Sequence, residues 1–332
     1  MRNILIIQTA WLGDNILTLP LVSNAAKIGK VHILTIPQWA DVYRNNPDVS
    51  SIITYDKHRA ERGISGIRRK GFSLRKMNFD VALLAQKWWR SALVAGLANI
   101  GVRIGFDDAP AKKFYTHTVE YDRNLHESER LLNLLKPLGV EPEMVAPKLF
   151  PTNDDEKQAH KILRRQGWNG EETIAIAPES AWRTKRYPHF VEVVKILANS
   201  GFSVMLIGAE RETENFFRKN LSVNKHIFFI FGKKLLVVAS ALKNAGVLIS
   251  NDSGAGHIGA AVNVPVLSLF GPTVPEQGFF PIGEENRIVQ KNLPCRPCSA
   301  HGTEKCPLGH HRCMTEIEPE EIAQTAVEMT KN

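Results

Sequence analysis

Three groups of residues have the types and spacing to do chemistry. The first is Ser250-Asn251-Asp252-Ser253-Gly254-Ala255-Gly256-His257, which directly follows an apolar run. At a strand end, the free N–H groups and dipole of the next helix attract an anion. Asp252, Ser253 and His257 add hydrogen-bonding groups around it. The second is Gly13-Asp14, just after the first apolar run at 4–7. There Asp14 reads either as a plain helix cap or as a general base at the end of the first strand, facing a central cleft. The third is Glu179-Ser180-Ala181-Trp182-Arg183-Thr184-Lys185-Arg186, beyond the apolar run 173–177. Lys185 with Arg183 and Arg186 suits neutralisation of a phosphate, and an ordinary solvated basic loop has the same composition.

These groups need a scaffold that delivers them to strand ends. Residues 246–249 and 264–270 read as buried strands on either side of a small-residue helix at 257–262. Strand, polar glycine turn, helix and strand make up the unit of an open α/β sheet, which binds ligands at the carboxyl ends of its strands. Further strands are expected at 4–7, 32–36, 52–55, 79–85 and 103–106, then at 173–177, 202–207 and 227–231. Helices are expected at 39–45, 126–138, 154–166, 189–199, 235–244 and 317–329. Residues 139–151 carry three prolines and read as a linker. Gly254, Gly256 and Gly259 match G-x-G-x-x-G. A dinucleotide fingerprint should instead follow its strand at once and open the first βαβ unit. An NAD-dependent oxidoreductase is therefore the weaker alternative. The P-loop pattern is absent, which argues against a P-loop NTPase.

A chain of 332 residues suits two domains. With 43% hydrophobic and 23% charged residues it has the composition of a soluble globular protein, and no apolar run is long enough to cross a membrane. The start reads as a first strand rather than a signal peptide. The formal charge of +8 favours an anionic partner, whether nucleic acid, a phosphorylated substrate or an anionic membrane. Cations gather at 57–76, where Lys57, Arg59, Arg62, Arg68, Arg69, Lys70, Arg75 and Lys76 face only Glu61. Interleaved Ile64, Ile67, Phe72 and Leu74 suit a lipid surface or a phosphorylated acceptor, beside the simpler reading of a solvated face. Lys87, Trp88, Trp89 and Arg90 form either a ligand surface or tryptophans packed under a helix start.

The four cysteines, Cys295, Cys298, Cys306 and Cys313, crowd into one loop at 294–314 with His301, His310 and His311 nearby. This grouping suits a structural zinc or iron, or else local disulfides or free thiols. It is not the spread of a disulfide framework, so a reducing cytoplasm is the expected compartment.

Taken together, Gly13-Asp14, Asn251-Asp252-Ser253-Gly254-x-x-His257 and Leu269-Phe270-Gly271-Pro272-Thr273 resemble glycosyltransferase family 9, the ADP-heptose:lipopolysaccharide heptosyltransferases. Cys306-Pro307-Leu308-Gly309-His310-His311-Arg312-Cys313-Met314 looks like the heptosyltransferase II branch, and the resemblance runs over nearly the whole chain. It implies the GT-B fold, two Rossmann-like domains facing each other across a central cleft. An acceptor-binding domain would span 1–150 and a nucleotide-sugar domain 151–316. A last helix, 317–332, would return to the N-terminal domain.

The resemblance further implies an inverting, metal-independent transfer of heptose from ADP-L-glycero-D-manno-heptose to the phosphorylated inner core of lipopolysaccharide. No cofactor is required, and the work is done in the cytoplasm at the face of the anionic inner membrane. Asp14 would be the general base and Lys185 would neutralise the donor phosphates. Ser180, Arg183, Glu210, Asp252, Ser253, Gly254 and His257 would hold the donor. Trp11, Gly13, Asn15, Lys87, Trp88 and Arg90 would meet the acceptor. The alternatives are another nucleotide sugar or a protein acceptor, the oxidoreductase, and a basic nucleic-acid-binding module. The last of these leaves the glycine-marked strand ends unexplained, so no nucleic acid is expected as a partner.

Overall fold

The computed structural model describes residues 1–222 and 225–331. The chain divides into two compact units, Met1–Phe150 and Pro151–Asn332. The first is built on β1 (Arg2–Ile7), β2 (Gly29–Thr35), β3 (Val49–Thr54), β4 (Val81–Leu84), β5 (Val102–Phe106) and β6 (His117–Val119). The second is built on β7 (Thr173–Ala177), β8 (Ser203–Gly208), β9 (Ile227–Phe231), β10 (Val247–Asn251), β11 (Val266–Phe270) and β12 (Arg287–Gln290). The helices are α1 (Leu12–Leu17), α2 (Leu19–Ala26), α3 (Gly63–Arg75), α4 (Trp89–Leu97), α5 (Glu127–Leu132), α6 (Asn153–Arg164), α7 (Phe190–Asn199), α8 (Arg211–Asn220), α9 (Leu235–Leu242), α10 (Gly254–Ala260), α11 (Arg312–Thr315) and α12 (Pro319–Met329).

The two sheets run β3-β2-β1-β4-β5-β6 and β12-β11-β10-β7-β8-β9. Counted from its own first strand, each has the order 3-2-1-4-5-6, and the strand pairs are parallel. Two doubly wound units in one chain are the GT-B fold that the resemblance implied. The order reverses between β1 and β4 in the first unit and between β7 and β10 in the second. A crevice opens at the carboxyl ends of the strands at such a switch point, and ligands bind there.

Apolar runs rather than alternation mark the central strands because helices cover both faces of a parallel sheet. β4, β7, β10 and β11 are accordingly buried at every residue. The second unit opens at Pro151 with a capping box at the start of α6. The Asp155 main-chain N–H donates to Thr152 Oγ1, and the Asp155 carboxylate accepts from the Thr152 N–H at 2.9 Å.

Several expectations shift. The basic stretch at 57–76, which broke the strand rhythm, contains the 13-residue helix α3. Its Ile67, Gly71 and Leu74 face inward, and Gly71 sits so close to Leu97 that an added Cβ would meet the Leu97 Cβ at 2.5 Å. The helix expected at 126–138 is α5 followed by a 3-10 stretch containing Pro137. Strands β6 and β12 are too short and too exposed to carry an apolar signal.

The last helix, α12, packs within the second unit. Ile322, Ala323, Ala326 and Met329 on one face of α12 join the core formed by α7 and the central strands. The Tyr187 hydroxyl fixes the approach of α12 by donating to the Ile317 carbonyl at 2.7 Å. Among the described residues, no helix is long and apolar enough to cross a membrane.

Candidate active site

Most of the predicted residues lie in the loops after the strands that meet at the two switch points. In the second unit, Asn251 closes β10 and joins it to the loop that follows β7. Its Nδ2 donates to the Pro178 carbonyl at 2.9 Å, and its Oδ1 accepts from the Tyr187 N–H at 3.0 Å. This folds the basic loop back over the strand end and brings Lys185 onto Asp252, with 2.5 Å between Nζ and Oδ2. The Thr273 hydroxyl donates to the same carboxylate oxygen at 2.6 Å. Asp252 is only 7% exposed, so both partners are needed to offset its desolvation.

The neighbouring groups have distinct places. Ser253 caps α10, and its buried Oγ makes no hydrogen bond with any described residue, which leaves a donor and an acceptor for a ligand. Gly254 opens the helix and His257 is buried in its middle. Ser180 is buried, and its carbonyl accepts from Arg186 Nε at 2.8 Å. Arg186 also pairs with Glu210 at 3.1 Å, which holds that carboxylate at the rim. Glu179 accepts the N–H groups of Ala209 and Glu210 at 2.7 and 2.9 Å. Burial outweighs these bonds and raises its pKa. Arg183 points elsewhere: it is largely exposed and lies 3.7 Å from Glu304.

Gly256 and Gly259 are packing positions. A Cβ at Gly256 would meet Ser250 Oγ at 2.9 Å, and one at Gly259 would meet Leu248 Cδ2 at 2.7 Å. These glycines let α10 lie on β10 and β11. They follow the fourth strand of their unit, whereas a dinucleotide fingerprint follows the first, so the literal G-x-G-x-x-G is not a nicotinamide site.

In the first unit, Asp14 is the third residue of α1, not its N-cap, and its carboxylate accepts the Trp11 N–H at 3.1 Å. Trp11 is exposed, and Gly13 and Asp14 are half-buried at the end of β1. Asn15, expected at the acceptor, is instead scaffold. It is 0% exposed, its Nδ2 donates to the Trp11 carbonyl at 2.7 Å, and its Oδ1 accepts from Thr35 and Tyr43 at 2.8 and 3.0 Å. Lys87 is tied to Asp108 at 2.9 Å and lies over the Tyr121 ring, whereas Trp88 and Arg90 are exposed.

Lys57 reaches the same strand ends and was hidden in the basic run. Its Nζ donates to the Thr9 carbonyl at 2.7 Å. Burial first, and the nearby Arg90 charge second, lower its pKa. Gln86 donates to Thr9 and Ser91, and its buried Oε1 accepts from no described residue.

The cysteine loop braces the turn that carries Lys185. The Thr184 N–H donates to the Thr303 carbonyl at 3.1 Å, and the Thr303 N–H returns to Thr184 Oγ1 at 2.8 Å. His311 Nε2 donates to the Thr184 carbonyl at 2.7 Å, since a carbonyl can only accept. Arg296 donates to the carbonyls of Gly271 and Thr273, the latter at 2.8 Å. One loop thus grips the turn carrying Lys185 and the residue that binds Asp252 from the other side. His301 lies near both charges. Burial and Lys185 lower its pKa, while Asp252 opposes them.

All four cysteines are free thiols. Among the described residues, no three His, Cys, Asp or Glu side chains are arranged to hold a metal ion. The zinc or iron expected at this loop is therefore unconfirmed. The thiols also differ. Burial opposes ionisation of Cys306, but the N–H groups of His311, Leu308, Gly309 and His310 turned on its sulfur outweigh it and lower its pKa. Burial pushes the Cys313 thiol up to about 11.

The sequence profile of Glycosyltransferase family 9 (heptosyltransferase) matches residues 67–308. Lipopolysaccharide heptosyltransferase 2 of Salmonella typhimurium is 24% identical, with 97% of each chain covered. A family 9 glycosyl transferase from Veillonella parvula superposes with a TM-score of 0.88 at 20% identity, covering 99% of this chain and 97% of its own. ADP-heptose lps heptosyltransferase II of E. coli gives 0.80, also at 20% identity, covering 100% of this chain and 99% of its own. With the profile spanning more than half of the sequence and both switch points furnished as the motifs require, the chain belongs to glycosyltransferase family 9.

Proposed function

We propose that this protein transfers heptose from ADP-L-glycero-D-manno-heptose to the inner core of lipopolysaccharide, with inversion at the anomeric carbon. The observation that carries the reading is the Lys185–Asp252–Thr273 cluster beside the Ser253 hydroxyl, which has no hydrogen-bond partner among the described residues, at the second switch point. A lysine held by a carboxylate, next to free N–H groups at a helix start, suits a diphosphate. The names of the relatives supply the sugar.

In this reading the acceptor hydroxyl oxygen attacks the anomeric carbon and the bond from that carbon to the phosphate oxygen breaks. Asp14 takes the hydroxyl proton. Lys185, Ser253 and the N–H groups at the start of α10 stabilise the charge that grows on departing ADP, the kind of electrostatic term that usually dominates catalysis. Asp252 orients Lys185 and accepts from sugar hydroxyls, with His257, Ser180 and Glu210 around the donor. In the first unit, Lys57 and Arg90 supply positive charge for the acceptor's phosphates, beside Trp11 and Trp88. The reaction would take place in the cytoplasm, at the surface of the inner membrane.

The test is to incubate the purified protein with ADP-heptose and a heptose-deficient lipopolysaccharide core, then read the acceptor mass and the anomeric configuration. One added heptose with inverted configuration is expected. Transfer only from a UDP- or GDP-sugar would overturn the donor, and transfer only to a protein would overturn the acceptor.

A further inference from the structure

The helix α3 has two faces of different chemistry. Its inward face, Ile67, Gly71 and Leu74, packs in the core of the first unit. Lys70 on the flank is engaged as well, paired with Glu61 at 2.9 Å and donating to the Thr54 carbonyl at 2.7 Å. The outward face is centred on Phe72, which is 45% exposed. On a helix the surface neighbours of a residue lie three and four positions away on either side. For Phe72 these are Arg68, Arg69, Arg75 and Lys76, all exposed. Lys76, the C-cap, keeps helical dihedrals of −71° and −14°, so it still belongs to this face. Ile64, two turns earlier, is 72% exposed, and Met77 follows at 41%.

An exposed phenylalanine framed by cations at all four neighbouring positions is not how a solvated face is made. Solvation is served by the charges alone, and an exposed aromatic ring there is unfavourable in water. The arrangement suits a surface that is anionic outside and apolar beneath. From it we propose that the outward face of α3 docks on an anionic phospholipid bilayer. Phe72 and Ile64 enter the interface, and Arg68, Arg69, Arg75 and Lys76 meet the headgroup phosphates. A helix of 13 residues is about 20 Å long, and interfacial helices of this kind bind by buried apolar area together with attraction to anionic lipid. This goes beyond the sugar chemistry and does not depend on it, since docking requires neither donor nor acceptor.

The experiment is co-sedimentation of the whole protein with vesicles of phosphatidylcholine alone and of phosphatidylcholine mixed with phosphatidylglycerol. Binding to the mixed vesicles only, falling as salt is raised, is expected. Each cation near a membrane contributes about 1 kcal/mol, so each of Arg68→Gln, Arg69→Gln, Arg75→Gln and Lys76→Gln should weaken partitioning about fivefold. Phe72→Ser, which leaves every charge in place, should weaken it about tenfold or more. Circular dichroism and thermal unfolding should not change, because these side chains are exposed. Sedimentation of the fourfold glutamine variant with the mixed vesicles as well as the parent would overturn the docking face. An unaffected Phe72→Ser would overturn the insertion. Release of the parent protein by inorganic diphosphate at constant ionic strength would show a phosphate site in place of a bilayer surface. Transfer to a soluble acceptor should persist in Phe72→Ser, so failure of this proposal and failure of the glycosyltransferase reading are told apart.

Discussion

Lys185 and Asp252 meet at 2.5 Å although they belong to different loops, one after β7 and the other after β10. The contact exists because those strands are neighbours at the switch point and Asn251 draws the two loops together. Replacing Lys185 therefore does more than remove a cation, because it leaves a buried carboxylate with Thr273 as its one remaining side-chain hydrogen-bond partner among the described residues. Lys185→Gln should raise the donor KM and lower kcat/KM on the order of a hundredfold. Calorimetry with ADP should show the same direction, and unchanged ADP affinity would remove Lys185 from the phosphate site.

Asp14 has two separable roles. Its carboxylate accepts the Trp11 N–H in the first turn of α1, and it is the proposed base. Asp14→Asn keeps an acceptor for that N–H but cannot take a proton. It should fold with parent-like stability, bind ADP normally and lose about 100- to 10,000-fold in rate. Asp14→Ala should in addition lose about 1 kcal/mol of stability with the hydrogen bond from the Trp11 N–H. A fully active Asp14→Asn would disprove the base.

His311 is a positioning residue for the turn that carries Lys185. Removing one hydrogen bond to the Thr184 carbonyl costs about 1 kcal/mol. His311→Ala should raise the donor KM about threefold to tenfold, and His311→Gln, whose amide can donate, should recover part of the loss. An equal loss of acceptor affinity in His311→Ala would point to general unfolding of the loop instead.

The cysteines should label in a fixed order. A lowered thiol pKa means that the thiolate is present at lower pH, and the thiolate is the reactive form. With iodoacetamide at neutral pH, Cys306 should react first. Cys313, buried and with its pKa near 11, should react last, and only as the pH rises or the chain unfolds. Mass spectrometry of peptides checks the order, and equal labelling of the two would refute it.

The sequence by itself determined the α/β class, the two-unit division, most of the central strands and the polar groups at their ends. Central parallel strands must be uniformly apolar to be buried on both faces, and glycine turns mark where they stop. That signal fails for β6 and β12, which lie at sheet edges with side chains in solvent. It fails for α3 because most of that helix's residues face outward.

The tertiary structure decided how the marked residues are employed. Asn15 sits in the same short segment as Asp14, yet burial against Thr35 and Tyr43 makes it scaffold. Lys57 looked like one more charge in a basic run until the sheet order carried it to Thr9. His301, Thr303 and His311 reach the Lys185–Asp252 cluster only because the cysteine loop folds back over the turn at Lys185. The apolar stripe of α12 reads only as a face to be buried, and the core beside α7 is where it packs. Periodicity and motif spacing report what each segment must bury. Which segments then meet depends on non-local packing, and no local pattern encodes that.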